Sequence, residues 1–342
     1  MVSRTDIDTE TAAAPATSPA DAGAPRAPGA LWVGELAEDW SGDARYFEYT
    51  SAADPIAAGF ISAIPIETFA PSLHQLSGTG IVPLDLSGVL GIDDGPATSP
   101  GLLASFIRIQ AGEQVSTSPT ATSELYYAMA GSGSTRVDGH EIRWAEGDFL
   151  TLPGGRRSTH HGTTDTTMYW VTDEPLLRYL GVTPAADRFS TTLYPAARVR
   201  SELDAIAHAP DAATRSRVSV LLANAAQPQT LTATHVLWAM FGVVPPGAVQ
   251  RPHRHQSVAV DLCVGAQEGC YTLLGQRLDG RADIIDPIRV DWVAGGAFTT
   301  PPGMWHSHHN ESGANAWVIP IQDAGLQTYL RSLDIRFAPA AT

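Results

Sequence analysis

Two stretches of this chain repeat one spacing of turn residues around short apolar runs. In the first, Gly112 is followed after five residues by Ser118-Pro119-Thr120, after three more by Glu124 and after six by Gly131. Further on, Gly147 is followed after five by Pro153 and then by Gly155. In the second, Gly247 is followed after five by His253-Arg254-His255, and Gly295 after five by Pro301, then Gly303, His306 and Asn310. A repeated spacing of glycine and proline marks repeated turns, and so two copies of one folding unit. The runs between those turns are 104–109, 124–129, 133–137, 141–144, 149–152 and 168–171 in the first copy. In the second they are HVLWAMFGVV, AVDLCV, CYTLLGQ, IRVDWV, AFTTP and AWVIPI. Their shortness and their β-branched and aromatic content predict strands. Many strands with little helix exclude a βαβ organisation and predict an all-β chain of barrels or sandwiches.

Length agrees with two units. At 342 residues the chain exceeds what one hydrophobic core ordinarily serves, and two units of roughly 150 residues are the natural division. Residues 1–29, rich in Ala, Pro and Thr, read as a disordered tail, with order expected to begin near Leu31-Trp32. A first domain is assigned to 30–195 and a second to 196–342, with a helix predicted over 199–209 (VRSELDAIAHA). Between Arg45 and Gly95 the pattern is mixed and assigns no elements.

Composition removes several function classes. A net charge of −15 disfavours a nucleic-acid partner, because that binding rests on neutralising phosphates. The chain contains no lysine, which excludes a lysine Schiff base. Cys263 and Cys270 are the only cysteines and read as buried thiols rather than a disulfide framework. No apolar run reaches membrane-spanning length, and the acidic N-terminus lacks the basic-then-apolar order of a secretory leader. A cytoplasmic protein with no membrane partner is expected.

The two copies differ where chemistry is concerned. His253 and His255, two apart on a strand, point to one face, and His306 is delivered by the later segment. Three imidazoles on one side of a barrel can hold one divalent metal and leave positions open for ligands; imidazole alone does not select among Fe, Mn, Ni, Cu and Zn. The first copy carries Ser118, Thr120 and Ser158 at the matching spacings and keeps only Glu124. It reads as a structural partner.

The second pattern, G-x5-H-x-H followed by G-x5-P-x-G-x2-H-x3-N, resembles the two-part signature of cupins. With the repeat, the resemblance implies a bicupin over about residues 95–342: two antiparallel β-barrel or jelly-roll domains, with short helices between and flanking them. HRHQSVAVDL, EGCYTLLG and MWHSHHNES are similar to the metal-site segments of gentisate and 1-hydroxy-2-naphthoate dioxygenases, ring-cleaving bicupins with three-histidine Fe(II). In the common cupin pattern a Glu follows the second His after three residues; here that position is Ala259, as in the three-histidine enzymes. The resemblance implies Fe(II) on His253, His255 and His306, and O2-dependent oxidation of a small aromatic or enolisable compound chelated through two oxygens. Ring cleavage is the implied outcome, and a homo-oligomer, dimer or tetramer, the implied assembly. Two departures stand out. The complete ligand set lies in the C-terminal copy rather than the N-terminal one, and Asp261 falls about where those enzymes place a basic residue for a substrate carboxylate.

Strand parity puts Asp261 and Cys263 on the face of Ala259, and His308 and Asn310 on the face of His306, with Ser307 and His309 opposite. His308 is thereby a candidate acid/base or substrate-orienting group. Asp261 is a candidate catalytic group or an acceptor fixing an imidazole tautomer; a salt bridge to an arginine on the barrel floor is its alternative. Trp238, Met240 and Trp305 are expected to wall a flat substrate. Gln250, Arg251 and Arg254 are expected at the barrel mouth as donors to an anionic group. Two other functions suit the same ligands: a non-oxidative isomerase, lyase or decarboxylase using the metal as Lewis acid, and a non-enzymatic metal-containing small-molecule binder.

Overall fold

The computed structural model describes residues 40–75, 77–212 and 215–339; the expected tail 1–29 and the expected onset of order at Leu31-Trp32 lie outside them. The chain divides into Met1–Ala52 and Ala53–Thr342. The described part of the first unit holds one short helix, Tyr49–Ala52. Both barrels belong to the second unit, and the fold is all-β, built of two antiparallel barrels with short helices.

The first barrel has a six-stranded sheet, in order Thr192–Tyr194, Phe149–Pro153, Ser123–Ala130, Thr166–Thr172, Leu103–Ile109 and Gly80–Pro83. Its second sheet runs Gln114–Thr117, Ser158–Gly162, Ser132–Val137 and His140–Ala145. The second barrel has a six-stranded sheet, Thr68–Phe69, Ala297–Thr300, Ala259–Gly265, Ala316–Gln322, Trp238–Val244 and Val218–Leu222. Its partner sheet runs Ile288–Asp291, Cys270–Gly275, Trp305–Asn310, Val249–Arg254 and Arg336–Phe337. Neighbouring strands are antiparallel. The helix between the barrels spans Ala196–Ala207, close to the predicted range.

The six-stranded sheets are buried on both faces, which is why their strands read as unbroken apolar runs rather than alternating ones. In the first barrel Ile107, Tyr126, Leu150 and Trp170 fill the barrel's own interior. Their sequence neighbours Phe106, Leu125, Phe149 and Tyr169 join a core shared with Val243, Val260, Leu262, Ile319 and Ile321 of the second barrel. Cys263, Phe298 and Val318 turn the other way, into the second barrel. Each fully buried side chain of this size stabilises the fold by about 1.5–3 kcal/mol. The barrels are thus joined by sheet faces with no solvent layer between these side chains.

Both ends of the second barrel's sheets are covered by distant segments. Residues Thr68–Phe69 pair with Ala297 and Phe298, and Thr299 is bonded to Glu67 and Pro65. This stretch, expected to belong to the first domain, extends the second barrel's sheet and satisfies an edge that would otherwise expose backbone groups. At the other end Arg336–Phe337 pairs with His253 and Arg254. Both cysteines are buried free thiols, as read from sequence. Among the described residues no helix is long and apolar enough to cross a membrane.

Candidate metal centre

The turn before the first ligand strand is set by Gly247, whose φ of 70° is the left-handed region that costs a side chain energy. Strand Val249–Arg254 follows, with a register shift between Gln250 and His253 that sets His253 directly opposite His306. His255 comes just beyond the strand. One ring nitrogen of each of His253, His255 and His306 lies within 4.8 Å of those of the other two, and all three residues are buried. His255 Nδ1 is 2.8 Å from the Ser257 carbonyl, and His306 Nδ1 is 3.0 Å from that of Met304. A carbonyl only accepts, so each Nδ1 carries the proton and each Nε2 keeps its lone pair for a ligand. Nε2 of His253 and of His255 is buried without a partner among the described residues. Burial pulls His255 down to about 4, with the Arg217 charge adding to it, and His253 and His306 well below the usual histidine range, with neighbouring imidazoles and Arg217 adding to it. Two buried imidazoles with unpartnered Nε2 atoms, beside a third whose proton sits on Nδ1, fit a divalent transition metal. Without one, those lone pairs are the kind of unmade bond native interiors avoid.

Behind the ligands lies a polar relay. Thr272 Oγ1 accepts the Trp292 indole N–H at 2.8 Å and lies 2.8 Å from His308 Nδ1. His308 Nε2 is 2.8 Å from Arg217 Nη2. Guanidinium groups only donate, so His308 Nε2 must accept and its proton must sit on Nδ1. The imidazole is neutral, held there by burial first and by the Arg217 charge. Its accepting nitrogen is taken by Arg217 Nη2 and its N–H faces Thr272 Oγ1, so both ring nitrogens of His308 are occupied within the barrel.

Arg217 was not foreseen. It immediately precedes strand Val218–Leu222, its Nη1 lies 3.9 Å from Met240 Sδ, and its Nε is out of solvent reach with no partner. Burial lowers its pKa to about 10, against the pull of Asp261, so it stays charged at neutral pH. Asp261 is buried and accepts from Thr300 Oγ1 at 2.7 Å. The expected alternative, a direct salt bridge from Asp261 to an arginine, is not formed among the described residues: no ion pair within 4.0 Å includes it.

The other expected site residues separate into two groups. Gln250 is buried opposite His308 rather than at the mouth, with Nε2 on the Val243 carbonyl and Oε1 unpartnered. Trp238 is partly buried with its indole N–H free of partners among the described residues. Trp305 is corrected: it sits one residue from His306, hence on the opposite face of the strand, with the Arg254 guanidinium 5.3 Å from its ring. It does not wall the imidazole cluster. Arg251 lies partly buried in the register shift, and no hydrogen bond or ion pair ties it among the described residues. Asn310 holds the end of the ligand strand through the Val244 and Ala314 carbonyls, a structural role for the last motif residue.

The first barrel shows what occupies the same register without the ligands. Thr117 pairs with Ser158 as His253 pairs with His306. The position matching His253 is therefore Thr117 and not Ser118, which is exposed; the register shift that adds a residue in the second copy misleads the spacing. His160 takes the place of His308, and Trp144 donates to Thr135, which bonds His160 Nδ1 at 2.9 Å. His160 Nε2 faces Thr117 Oγ1, which faces the Tyr126 hydroxyl, which donates to Glu124 Oε2 at 2.5 Å. Trp170 donates to the same oxygen. Burial raises Glu124 to about 8, so it is a neutral acid at pH 7.

Compared with known proteins, no family model matches the chain. A 5-aminosalicylate 1,2-dioxygenase of Comamonas sp. is 30% identical over 92 residues, 27% of this chain and 24% of that protein. The matched part thus spans about a quarter of the length of that curated relative. Among solved structures, salicylate 1,2-dioxygenase of Pseudoaminobacter salicylatoxidans in complex with gentisate superposes with a TM-score of 0.61 at 14% identity, covering 82% of this chain and 87% of the other. A further structure of that enzyme gives 0.61 at 13%, covering 81% and 88%. The fold of this chain is shared with that enzyme.

Proposed function

We propose that this bicupin is a mononuclear non-haem Fe(II) dioxygenase that oxidises a small aromatic acid, with ring cleavage as the outcome. The observation that carries the reading is the set of three buried imidazoles that each bring one ring nitrogen within 4.8 Å of the other two, with Ala259 in the place of a carboxylate. His253, His255 and His306 would hold the iron, which when bound supplies redox chemistry toward O2 and a positive centre for a chelating substrate. Ala259 adds no negative charge, so the three histidines leave the dication's charge uncancelled and available to an anionic phenolate. Arg217, positioned by His308, offers donors to a carboxylate from a partly dry site, where a charge-assisted bond is strong. The Trp238 indole N–H and Gln250 Oε1 remain to orient the ring. The relatives' names, salicylate and aminosalicylate 1,2-dioxygenase, favour a hydroxybenzoate-type substrate. In this reading the first barrel is structural, and the second, formed by 196–342 and completed by Thr68–Phe69, bears the metal.

The test is anaerobic purification, iron quantification and an oxygen electrode run over ortho-hydroxylated aromatic acids. Stoichiometric iron and substrate-dependent O2 uptake are expected. Zinc or nickel at full occupancy with no O2 uptake would instead select the Lewis-acid alternative.

A further inference from the structure

The three imidazoles of the metal centre are not held alike. His255 and His306 each give Nδ1 to a main-chain carbonyl, which fixes their ring planes. No hydrogen bond reaches either ring nitrogen of His253 among the described residues. Its ring is neighboured by the imidazoles of His255, His306 and His308 and by one group that is no histidine, Phe337. The Phe337 ring lies 5.9 Å away, centroid to centroid, and is tilted by 21°, the offset stack that aromatic faces prefer. Register explains the contact. Phe337 stands directly opposite His253, as His306 does on the other side, and opposite residues put their side chains on one face of a sheet. The strand that carries Phe337 is two residues long, but it is anchored: Ala338, 3% exposed, gives its N–H to the Pro252 carbonyl at 2.8 Å. Phe337 itself is 51% exposed, so it stands at the rim of the barrel. In the first barrel Gln114–Thr117, the counterpart of the ligand strand, ends its sheet with no strand beyond it among the described residues. Thr117, in the place of His253, is held by the Tyr126 hydroxyl and His160. The added strand occurs where there is an imidazole to hold.

We infer that Phe337 is a positioning residue of the metal centre: its ring, brought against His253 by the Arg336–Phe337 strand, holds that imidazole so that Nε2 faces the other two ligands. This rests on the metal-bearing part of the functional reading above and adds a residue outside the ligand motif. The torsion that turns an imidazole about its own bond has broad wells. A ring without a hydrogen bond therefore takes its orientation from packing. A stacked neighbour limits that rotation and leaves both nitrogens unengaged, which a hydrogen-bonding partner could not do. Sites whose groups must meet one atom need each side chain locked by what packs on it. For His255 and His306 the lock is a carbonyl; for His253 it is Phe337.

The test reads metal binding without turnover. The metal-free full-length chain is titrated with cobalt(II) under nitrogen against a chromogenic chelator, and the visible d–d spectrum of the bound ion is recorded. Phe337→Ala is expected to weaken cobalt binding about tenfold or more, the range lost when a partner that orients a ligand is removed, and to change the spectrum. Phe337→Tyr keeps the ring face and should restore affinity to within about twofold of the unaltered chain, and the spectrum with it. A ring that merely caps a sheet edge would lower the urea midpoint of metal-free Phe337→Ala and leave affinity and spectrum alone. That result overturns the inference, as does Phe337→Tyr binding as weakly as Phe337→Ala. Should Phe337→Ala fail to fold, Phe337→Leu, which keeps bulk without the ring face, is held to the same thresholds. An unaltered chain that binds no cobalt(II) ends both this inference and the metal reading. Bound metal without O2 uptake ends the oxygenase reading alone, and the cobalt affinities still decide this one.

Discussion

Both barrels contain a Trp–Thr–His triplet in the same register, Trp144–Thr135–His160 in one and Trp292–Thr272–His308 in the other. The imidazole proton nevertheless sits on opposite nitrogens. Toward Arg217, a pure donor, His308 Nε2 has to accept. In the first barrel Tyr126 donates to Glu124, so Thr117 donates to Tyr126, His160 donates from Nε2, and Thr135 donates to Nδ1. One scaffold motif is therefore read in two directions by what lies beyond it. Where the chain ends in a neutral acid, every link but one carboxyl oxygen is satisfied internally. Where it ends in a charge, donors are left over for a ligand. A retained framework with changed termini is how one barrel can serve packing and the other chemistry.

The largest effect should come from breaking the ligand set on one side only. His306→Ala is expected to lower metal affinity by more than about 100-fold, since loss of even a supporting partner costs 10–100-fold, and to abolish O2 uptake. Ser158→Ala, its register partner in the first barrel, should leave metal per chain unchanged. Elemental analysis of both variants checks the division, and metal loss in Ser158→Ala would end it. Next in size is Arg217→Met, which removes a charge-assisted donor. It should raise KM for a carboxylate substrate roughly 30-fold or more, equivalent to about 2 kcal/mol, with iron retained; steady-state kinetics separates this from a fall in kcat alone.

Glu124 distinguishes the barrels by pH. Its folded pKa lies near 8, above the usual 4.5, so between those values the folded chain holds a proton that the unfolded chain has released. Stability from this group is then full below about pH 4.5 and is lost as pH rises toward 8, with a slope of at most about 1.4 kcal/mol per pH unit. Glu124→Gln should flatten the denaturation midpoint against pH between 5 and 8. Asp261, raised only to about 6, contributes the same sign over a narrower and more acidic window, so Asp261→Asn should flatten only the acid end. Identical profiles for the two variants would contradict the assignment.

How far the chain could be read beforehand follows from burial. The strands of the six-stranded sheets are apolar on both faces and announced themselves as runs, while Gln114–Thr117 and Ser158–Gly162 are polar in composition and did not. The two-residue strands Thr68–Phe69 and Arg336–Phe337 are fixed by pairing with distant segments, which no local pattern carries. The metal ligands were legible because turn spacing and strand parity place them together. Arg217 was not: it precedes a strand without a distinctive pattern and reaches the centre from the far edge of the sheet. Trp305 was misjudged because its aromatic character outweighed its odd parity with His306, and Ser118 because a single register shift displaced the repeat.

The smallest effect tests the shared triplet itself. Trp144→Phe and Trp292→Phe each delete one indole N–H bond to a buried threonine hydroxyl, and each should cost about 1 kcal/mol of stability. If the triplet is framework in both barrels, the two costs match in urea denaturation. Their consequences for substrate should not match. Trp292→Phe loosens Thr272, hence His308, hence the guanidinium it holds, and should raise KM about two- to threefold, a few tenths of a kcal/mol, with kcat unchanged. Trp144→Phe loosens a chain that ends on Glu124 and should leave KM where it was. A KM shift of equal size from Trp144→Phe would mean that the first barrel communicates with the metal centre through the shared core. The division between a packing barrel and a working one would then have to be abandoned.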